Sequence, residues 1–290
     1  MMRTSTTLRE MLAGPDIIVL PGAYDALSAR LAQEVGFDAL FTTGFGLAAS
    51  VLGVPDIGLL TQSEMMDRVR HIVRSVTVPV VADMDTGYGN PINVIRTVRE
   101  CVALGAGGII LEDQEWPKKC GHFEGKRVIP AEEQVEKLRA AVYARGYDDL
   151  VIIGRTDARQ PLGLDEAIRR GKLYHEAGAD VVFVEAPRTV EELKAVAAAI
   201  PGVPLFANMI EGGKTPLLTS QELQELGYKL VVYPLSGLFS AVSAIRDTFA
   251  ALHDQKTTAA RQNAMVSFSE FEEIIGAHDY HELEQRFSVR

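Results

Sequence analysis

Short apolar runs recur along the chain at intervals that suit an alternation of strands and helices. Eight of them are rich in Val, Ile, Leu, Phe or Ala, the pattern of strands that are covered on both faces. The predicted strands are Ile17–Pro21, Ala39–Thr43, Val78–Asp83, Gly108–Glu112, Leu150–Arg155, Val181–Glu185, Pro204–Asn208 and Lys229–Pro234. Helical patterns lie between most of these runs, so the order predicts an α/β fold.

The boundaries of several helices can be recognised between these strands. Thr61 is followed by Glu64, and Thr219 by Glu222, which predicts two capping boxes. Asn90–Pro91 predicts an N-cap followed by a first-turn proline.

A glycine ends four predicted helices shortly before the next strand begins, in Val35-Gly36-Phe37, Leu104-Gly105-Ala106, Ala177-Gly178-Ala179 and Leu226-Gly227-Tyr228. Glycine adopts the left-handed conformation at little cost, so this predicts a repeated helix-to-strand connection. Eight strands alternating with helices in 290 residues favour a closed (β/α)₈ TIM barrel. A doubly wound sheet is the alternative, but no Gly-x-Gly-x-x-Gly follows the first strand.

The last part of the chain exceeds what an eight-unit barrel needs. We predict a barrel domain over residues 1–255 and a helical extension over residues 256–290. Gly237 to Gln255 has the pattern of a long helix, and Ser267 to Phe287 that of another helical segment. This extension is predicted to pack on a neighbouring subunit or to cover its own barrel.

Composition narrows the class of protein. The chain is 47% hydrophobic and 23% charged, which suits one large globular domain. Its net charge of −10 argues against a broad basic surface for nucleic acid or an anionic membrane. Cys101 and Cys120 are too few for a disulfide framework, and Met1–Pro15 contains no apolar signal-peptide core. Since no apolar run is long enough to span a membrane, we predict a cytoplasmic protein.

Polar residues cluster just after the predicted strands, at Tyr24, Asp25, Thr43, Asp83, Asp85, Glu112, Asp113, Arg155, Asp157, Glu185, Asn208 and Ser236. In a parallel barrel these strand ends meet at the face where barrel enzymes place their active sites. Loops are polar in any case, which would explain one such residue. It does not explain carboxylates, an arginine and an asparagine at the ends of five successive strands.

The strongest local signal is the segment Ala82–Gly89, which contains Asp83 and Asp85. Two carboxylates this close at a strand end are costly to bury without a cation. Oxygen ligands without a nearby His or Cys suit Mg²⁺ better than Zn²⁺. Glu112 and Asp56 are placed to hold waters of that metal. The alternative is a pair of solvated turn aspartates.

A second signal is the polar, glycine-containing loop Trp116–Phe123, which is predicted to open and close as a lid. Cys120 lies between two lysines and a histidine, and this setting predicts a stabilised thiolate that takes part in proton transfer. An incidental cysteine, or a metal ligand together with His122, is the alternative. Cys101 lies on an apolar helix pattern and is predicted to be a packing residue.

Arg155 is predicted to anchor a substrate carboxylate, because its planar guanidinium matches a carboxylate with two parallel hydrogen bonds. The alternative is a salt bridge to Glu185 or Asp157.

Together these residues resemble the isocitrate lyase/phosphoenolpyruvate mutase superfamily, and in particular its short-chain carbon–carbon lyases. The likeness runs from about Leu8 through the last helices. Its most specific parts are Asp83–Gly89, Glu112-Asp113-Gln114 and Lys118-Lys119-Cys120-Gly121-His122.

The resemblance implies a role for each matching position. It makes Asp83 and Asp85 the Mg²⁺ site, with Mn²⁺ as a substitute and Asp56 and Glu112 supporting the metal's waters. It implies substrate binding by Thr43, Gly44, Phe45, Gly121, Arg155, Glu185 and Asn208, and catalysis by Cys120, Lys118 and His122. It also implies a homotetramer, built as a dimer of helix-swapped dimers.

Several departures from the family pattern bear on the substrate. Phe239 and Phe268 stand where methylisocitrate lyases hold a third carboxylate with arginines, so a smaller diacid with an apolar substituent is expected. Ile110 and Phe41 replace a histidine and a tyrosine of some lyases, which leaves the general base unassigned.

The resemblance therefore implies a lyase that cleaves a 2-hydroxy dicarboxylate of the 2-methylmalate or 2,3-dimethylmalate type to a 2-oxo acid such as pyruvate. The alternatives are a phosphonomutase, an oxaloacetate decarboxylase or hydrolase, a 2-methylisocitrate lyase, and a catalytically silent barrel. Phosphoenolpyruvate mutases lack the Lys-Lys-Cys-Gly-His loop, which favours the lyase over them. The carboxyvinyl-carboxyphosphonate mutase keeps a similar loop and stays an alternative.

Overall fold

The structure is a computed structural model that describes residues 4–288, with side chains from Leu8 onward. It contains the eight predicted strands, with ends that differ by one or two residues. They are β1 (Ile18–Ala23), β2 (Leu40–Thr42), β3 (Val80–Asp83), β4 (Gly108–Glu112), β5 (Val151–Thr156), β6 (Val181–Val184), β7 (Leu205–Asn208) and β8 (Leu230–Tyr233).

All strand pairs are parallel, each strand lies beside the next one in sequence, and β8 pairs with β1. The sheet is therefore the closed barrel that the sequence predicts.

The helices are α1 (Thr4–Ala13), α2 (Ala26–Val35), α3 (Gly44–Leu52), α4 (Gln62–Ser75), α5 (Pro91–Leu104), α6 (Ala131–Arg145), α7 (Arg159–Leu162), α8 (Leu164–Glu176), α9 (Val190–Ala199), α10 (Ser220–Glu225), α11 (Ser236–Gln255), α12 (Phe268–Ile275) and α13 (Ala277–Phe287).

The predicted helix boundaries are confirmed. Both capping boxes form, and Asn90 caps α5 in front of a first-turn proline. Gly36, Gly105, Gly178 and Gly227 all have a positive φ. These local signals therefore determine where the helices begin and where they end before the next strand.

The barrel interior is filled with apolar side chains from alternate positions of the strands. Leu20, Val81, Ile153 and Phe206 belong to this interior cluster, which also includes Leu8 of α1. Since Leu8 is fully buried there, α1 closes the amino-terminal end of the barrel. The carboxyl ends of the strands are left for polar residues.

The chain forms two compact units, residues 1–237 and residues 238–290. The second unit contains most of α11, a 3₁₀ helix (Ala259–Ala264), α12 and α13. The segment Ser267 to Phe287 is helical as predicted, but Gly276 adopts a left-handed conformation and divides it into two helices. Among the helices of residues 4–288, none is long and apolar enough to cross a membrane.

Candidate active site

A small cavity opens at the carboxyl ends of the strands, with about 40 Å³ of space for water-sized molecules. Most of the predicted site residues line it: Thr43, Phe45, Asp56, Asp83, Lys118, Cys120, Gly121, His122, Arg155, Glu185 and Asn208. The remaining three, Gly44, Asp85 and Glu112, are buried and contact these lining residues. The fold therefore brings the predicted residues together around one site.

The Asp83–Gly89 turn is held by its own side chains. The Asp85 N–H donates to Oδ1 of Asp83 (3.2 Å), and the Tyr88 hydroxyl donates to Oδ2 of Asp85 (3.1 Å). Asp85 and Tyr88 both have a positive φ, at 48° and 62°. A non-glycine residue in this region carries strain, which is typical of functional sites. The turn keeps both carboxylates buried instead of exposing them to solvent, so the alternative of solvated aspartates is wrong.

Lys118 supplies the cation that contacts this acidic cluster. Its Nζ lies 2.7 Å from Oδ1 of Asp56 and 2.7 Å from Oδ1 of Asp85. All three side chains are buried. Burial raises the pKa of Asp85, and the nearby Lys118 ammonium opposes that rise. The carboxylates in turn raise the pKa of Lys118 against the opposing effect of burial, so the lysine stays charged.

The cluster has the chemistry of a hard-cation site. Its donors are carboxylate oxygens, and Oε1 of Glu112 is buried without a hydrogen-bond partner. Burial raises the pKa of Glu112 well above its usual value, and the nearby Arg155 guanidinium only partly opposes this rise. Within residues 4–288, no three His, Cys, Asp or Glu side chains are arranged as a ready-made metal site. The donors fit Mg²⁺ in kind, while Lys118 is the positive group between Asp56 and Asp85.

The loop between β4 and α6 folds over the cavity. At its base, Gln114 pairs with Val128, and the Glu115 N–H donates to the Arg127 carbonyl (2.9 Å). Farther along, the Cys120 N–H donates to the Asp56 carbonyl (2.9 Å). We call residues 116–126 the loop tip. In this structure the tip is closed.

Cys120 faces the cavity from the closed tip. Its pKa is raised to about 11, mainly by burial, although the His122 backbone N–H opposes this. The predicted stabilised thiolate is therefore wrong, because the loss of solvation on closure outweighs the neighbouring positive charges. The group in the site is a neutral thiol that can donate a proton. Cys101 is fully buried among apolar residues, as predicted for a packing residue.

Arg155 is enclosed by carboxylates. Its Nε and Nη2 donate to the two oxygens of Asp157 at 2.9 and 3.1 Å. Its Nη2 also lies 3.3 Å from Glu185 and 3.4 Å from Glu112. The alternative from the sequence, a salt bridge to Asp157 or Glu185, is therefore present. Arg155 still lines the cavity, so its role as a substrate anchor remains a prediction.

His122, Glu185 and Asn208 form a chain across the barrel mouth. Nδ1 of His122 accepts from the backbone N–H of Lys214 (2.9 Å), so the neutral ring carries its proton on Nε2. That nitrogen lies 3.0 Å from Oε1 of Glu185. The Asn208 amide donates to both Glu185 oxygens at 3.3 and 3.2 Å. Oδ1 of Asn208 is buried and lacks a hydrogen-bond partner, so it can accept from a bound molecule.

The Thr43–Phe45 turn begins α3. The Thr43 hydroxyl accepts from the Gly46 N–H, and the Gly44 N–H donates to Oδ2 of Asp83 (3.3 Å). Phe45 makes an edge-to-face contact with Phe123 of the loop tip, at 6.2 Å between ring centroids. The turn therefore joins the acidic cluster to the closed tip. Because the Gly44 and Gly46 N–H groups already donate to Asp83 and Thr43, only the other N–H groups of the turn remain for a substrate carboxylate.

Sequence reasoning named Asp157 and Phe41 but did not predict the buried partner of Asp157 or most of the apolar residues beside Phe41. Lys126 and Asp157 form an ion pair (2.8 Å) whose side chains are both fully buried. A lysine six residues after Cys120 has no pattern that reveals its burial. The apolar wall of the cavity consists of Phe41, Phe183, Ile210, Val232, Pro234 and Leu235.

The phosphoenolpyruvate phosphomutase family model matches residues 8–253, most of the chain. The chain belongs to this family. The 2,3-dimethylmalate lyase of Eubacterium barkeri is 47% identical over 288 residues, which cover 99% of each protein. The resemblance seen in the sequence, and the predicted enzyme class of lyase, are confirmed.

Solved structures of the superfamily share the whole fold. A 2,3-dimethylmalate lyase described as a PEP mutase/isocitrate lyase superfamily member is 36% identical, with a TM-score of 0.94, and the match covers 99% of this chain and 96% of that one. An oxaloacetate acetylhydrolase in complex with 3,3-difluorooxalacetate is 38% identical, with a TM-score of 0.93 and coverages of 98% and 96%. A phosphonopyruvate hydrolase complex with oxalate and Mg²⁺ is 33% identical, with a TM-score of 0.89 and coverages of 99%.

Proposed function

We propose that this chain is a Mg²⁺-dependent carbon–carbon lyase that cleaves a 2-hydroxy dicarboxylate of the 2-methylmalate or 2,3-dimethylmalate type. The products are a 2-oxo acid such as pyruvate and a second carboxylate. The observation that carries this proposal is the position of the Cys120 thiol, which a closed loop holds in the cavity that Asp83 and Arg155 also line. The similarity to a 2,3-dimethylmalate lyase supports the same substrate class.

In this proposal Asp83 and Asp85 hold the metal, and Asp56 and Glu112 support its waters. A bound divalent cation supplies positive charge that stabilises the ionised 2-oxygen of the substrate. Lys118 contributes a second buried positive charge, and the contacts of its ammonium with Asp56 and Asp85 keep it at the site.

Cys120 is assigned the role of general acid. Cleavage removes the proton of the 2-hydroxyl and breaks the bond between C2 and C3, whose electron pair remains on C3. The thiol then delivers a proton to C3, which gives the second carboxylate product. A thiol with a pKa of about 11 stays protonated at neutral pH, as this role requires.

The substrate carboxylates are assigned to the polar side of the cavity. The Arg155 guanidinium lies there and can donate to a carboxylate, whereas the unpartnered Oδ1 of Asn208 can only accept and is matched by the substrate hydroxyl. Nε2 of His122 lies 3.0 Å from Oε1 of Glu185, so these two side chains are adjacent at the cavity. Developing charge is thus stabilised by groups that are already in place, in a site with little room for water.

The apolar wall of the cavity suits a substrate with alkyl substituents. Phe41 and Phe183 lie on this wall with Val232 and Leu235. The burial of a methyl group against it is favourable, whereas a further carboxylate there would lose its hydration. Positions 41 and 110, where some lyases have a tyrosine and a histidine, carry the buried Phe41 and Ile110, neither of which can titrate. The wall therefore supports a methyl-substituted diacid over a tricarboxylate.

We also propose that the second unit takes part in a homotetramer of helix-swapped dimers. Phe249 and Phe268 are exposed, at 64% and 81%, as are Ile245 and Tyr280. Exposed apolar residues in such numbers mark surfaces that pack on a partner. Sedimentation velocity tests this part of the proposal, which a monomer in solution would contradict.

The test of the activity is a panel of 2-methylmalate, 2,3-dimethylmalate, 2-methylisocitrate and oxaloacetate, assayed for 2-oxo acid release with Mg²⁺, with Mn²⁺ and with a chelator. The proposal predicts pyruvate from the methylated malates, loss of activity with the chelator, and recovery on addition of metal. Absence of pyruvate from every methylated malate would refute it.

Oxaloacetate hydrolysis is the second candidate, favoured by the similarity to a solved oxaloacetate acetylhydrolase. Analysis of the products formed from oxaloacetate separates a hydrolase from a decarboxylase. Hydrolysis gives acetate and oxalate, whereas decarboxylation gives carbon dioxide. Phosphorus NMR with phosphonate substrates tests the phosphonomutase alternative.

A further inference from the structure

Lys126 is a buried charge that the proposed chemistry does not use. Its side chain is fully buried, and Nζ donates to Oδ1 of Asp157 (2.8 Å) and to the carbonyl of Gly121. Asp157 follows β5 and belongs to the rigid barrel, whereas Gly121 lies at the centre of the loop tip. One ammonium group therefore connects the tip to the barrel.

Burial of this ammonium needs compensation, because a desolvated charge is costly unless it is paired and hydrogen-bonded. Asp157 provides the pairing, and the Arg155 and Lys126 cations hold the pKa of Asp157 well below its usual range in spite of its burial. The base of the loop does not need this lysine, since backbone hydrogen bonds between residues 114–115 and 127–128 close it. The contacts of Lys126 therefore bear on the position of the loop tip and not on the closure of the base.

The tip fits against the barrel with no spare room at Gly121. A Cβ atom on this residue would lie 2.5 Å from Nη2 of Arg155 and 2.6 Å from Cγ of Glu185. The backbone at Gly121 therefore packs directly against Arg155 and Glu185. Cys120 precedes this glycine, so the position of its thiol depends on the same contact.

We propose that Lys126 is a positioning residue that sets the location of the Cys120 thiol by fixing the Gly121 carbonyl to Asp157. This inference rests on the proposed function only in the use of Cys120 as the proton donor. The positioning itself can be measured without any substrate.

The experiment is thiol labelling of the native full-length protein with iodoacetamide, followed by mass spectrometry of the Cys101 and Cys120 peptides. The chain contains only these two cysteines, and Cys101 is fully buried in the core, so its labelling reports global unfolding. The test variant is Lys126→Met, which keeps much of the side-chain length without its charge. The matched control is Arg127→Met, because Arg127 is the next residue and forms an exposed ion pair with Glu115.

In Lys126→Met we expect labelling of Cys120 to be about tenfold faster or more, the effect of losing a hydrogen bond from a charged donor. Labelling of Cys101 is expected to stay at the wild-type rate, and Arg127→Met is expected to match the wild type at both cysteines. An unchanged rate at Cys120 would overturn the proposal. Equal acceleration at both cysteines would also overturn it, because Lys126 would then stabilise the fold as a whole.

Lys126→Gln keeps a shorter neutral donor and carries the same test if Lys126→Met does not fold. With the substrate found by the panel, we expect kcat of the Lys126 variant to fall about tenfold or more. Faster labelling of Cys120 with unchanged kcat would leave the positioning intact and refute the acid role of Cys120. Unchanged labelling with normal folding would refute the positioning alone.

Discussion

Nζ of Lys118 lies 2.7 Å from Oδ1 of Asp85, with each side chain only 4% exposed. The ion pair joins the loop that covers the cavity to the acidic turn that follows β3. The charge of Lys118 therefore stabilises the closed loop and the carboxylate cluster together.

Replacement of Lys118 by Met leaves Asp56 and Asp85 without the ammonium between them. We expect the free energy of unfolding in the presence of a chelator to fall by about 3–5 kcal/mol, as when one partner of a buried ion pair is removed. Added Mg²⁺ should raise the Tm of this variant more than that of the wild type, because a bound cation replaces the missing charge. Thermal unfolding with and without MgCl₂ measures both effects.

Lys119→Met is the matched control, since Lys119 is the adjacent lysine and its ammonium donates to the Gly125 carbonyl (3.2 Å). Its Tm and Mg²⁺ response should equal those of the wild type. If Lys118→Met also behaved as the wild type with and without Mg²⁺, the Lys118 ammonium would not be the charge that stabilises the acidic cluster.

Replacement of Cys120 by Ser tests the general acid. A serine hydroxyl is a much weaker acid than a thiol, so kcat should fall by about 10²–10⁴-fold. The Tm should change little, because the two side chains are similar in size and Cys120 lies outside the apolar core clusters. Steady-state kinetics with the active substrate of the panel and a thermal melt provide the two measurements.

Cys101→Ser is the companion variant for this test. It places a hydroxyl in the apolar core, and the expected result is a lower Tm with kcat preserved in the folded fraction. Normal turnover in the Cys120 variant would exclude the acid assignment.

Replacement of Gly121 by Ala tests the close approach of the loop tip. The new Cβ would overlap Arg155 and Glu185, so the tip cannot close fully, and we expect kcat to fall about tenfold or more. Gly14→Ala is the control, because a Cβ there meets its nearest atom at 3.4 Å, an ordinary contact. Equal kcat in both variants would mean that closure of the tip is not required.

The ionisation of the Glu185 carboxyl makes the stability of the folded state depend on pH. Burial raises the pKa of this carboxyl, but Arg155 and His122 outweigh burial and lower it to about 2, below the usual value of 4.5. A group with a lowered pKa stabilises the folded state above its unfolded pKa, and that contribution is lost as the pH falls from about 4.5 towards 2.

We therefore expect the wild-type Tm to drop more steeply than that of Glu185→Gln between about pH 5 and pH 3. This range spans the pKa that the carboxyl has in the unfolded chain. Thermal melts across this range measure the difference. Parallel curves for the two proteins would show that Glu185 is not held ionised by its neighbours.

Much of the barrel could be predicted from the sequence, because its signals are local. The capping boxes, the glycines at helix ends and the runs of apolar residues act within a few positions of the chain. Gly276 is the exception: it interrupts an otherwise continuous helical pattern, and its effect was not predicted. The clustering of the strand-end residues, such as Asp83, Arg155 and Asn208, followed from the parallel barrel, since all strand ends meet at one face.

The state of each side chain was decided by the tertiary structure. The lysines and the histidine beside Cys120 in sequence predict a thiolate, but closure of the loop removes water and raises the pKa of Cys120 to about 11. Lys126 has no sequence signal, because its partner Asp157 lies on another element. Desolvation and long-range pairing depend on which parts of the chain meet in space. The sequence therefore determined where the chemical groups are placed, and only the folded chain decided their charge and their partners.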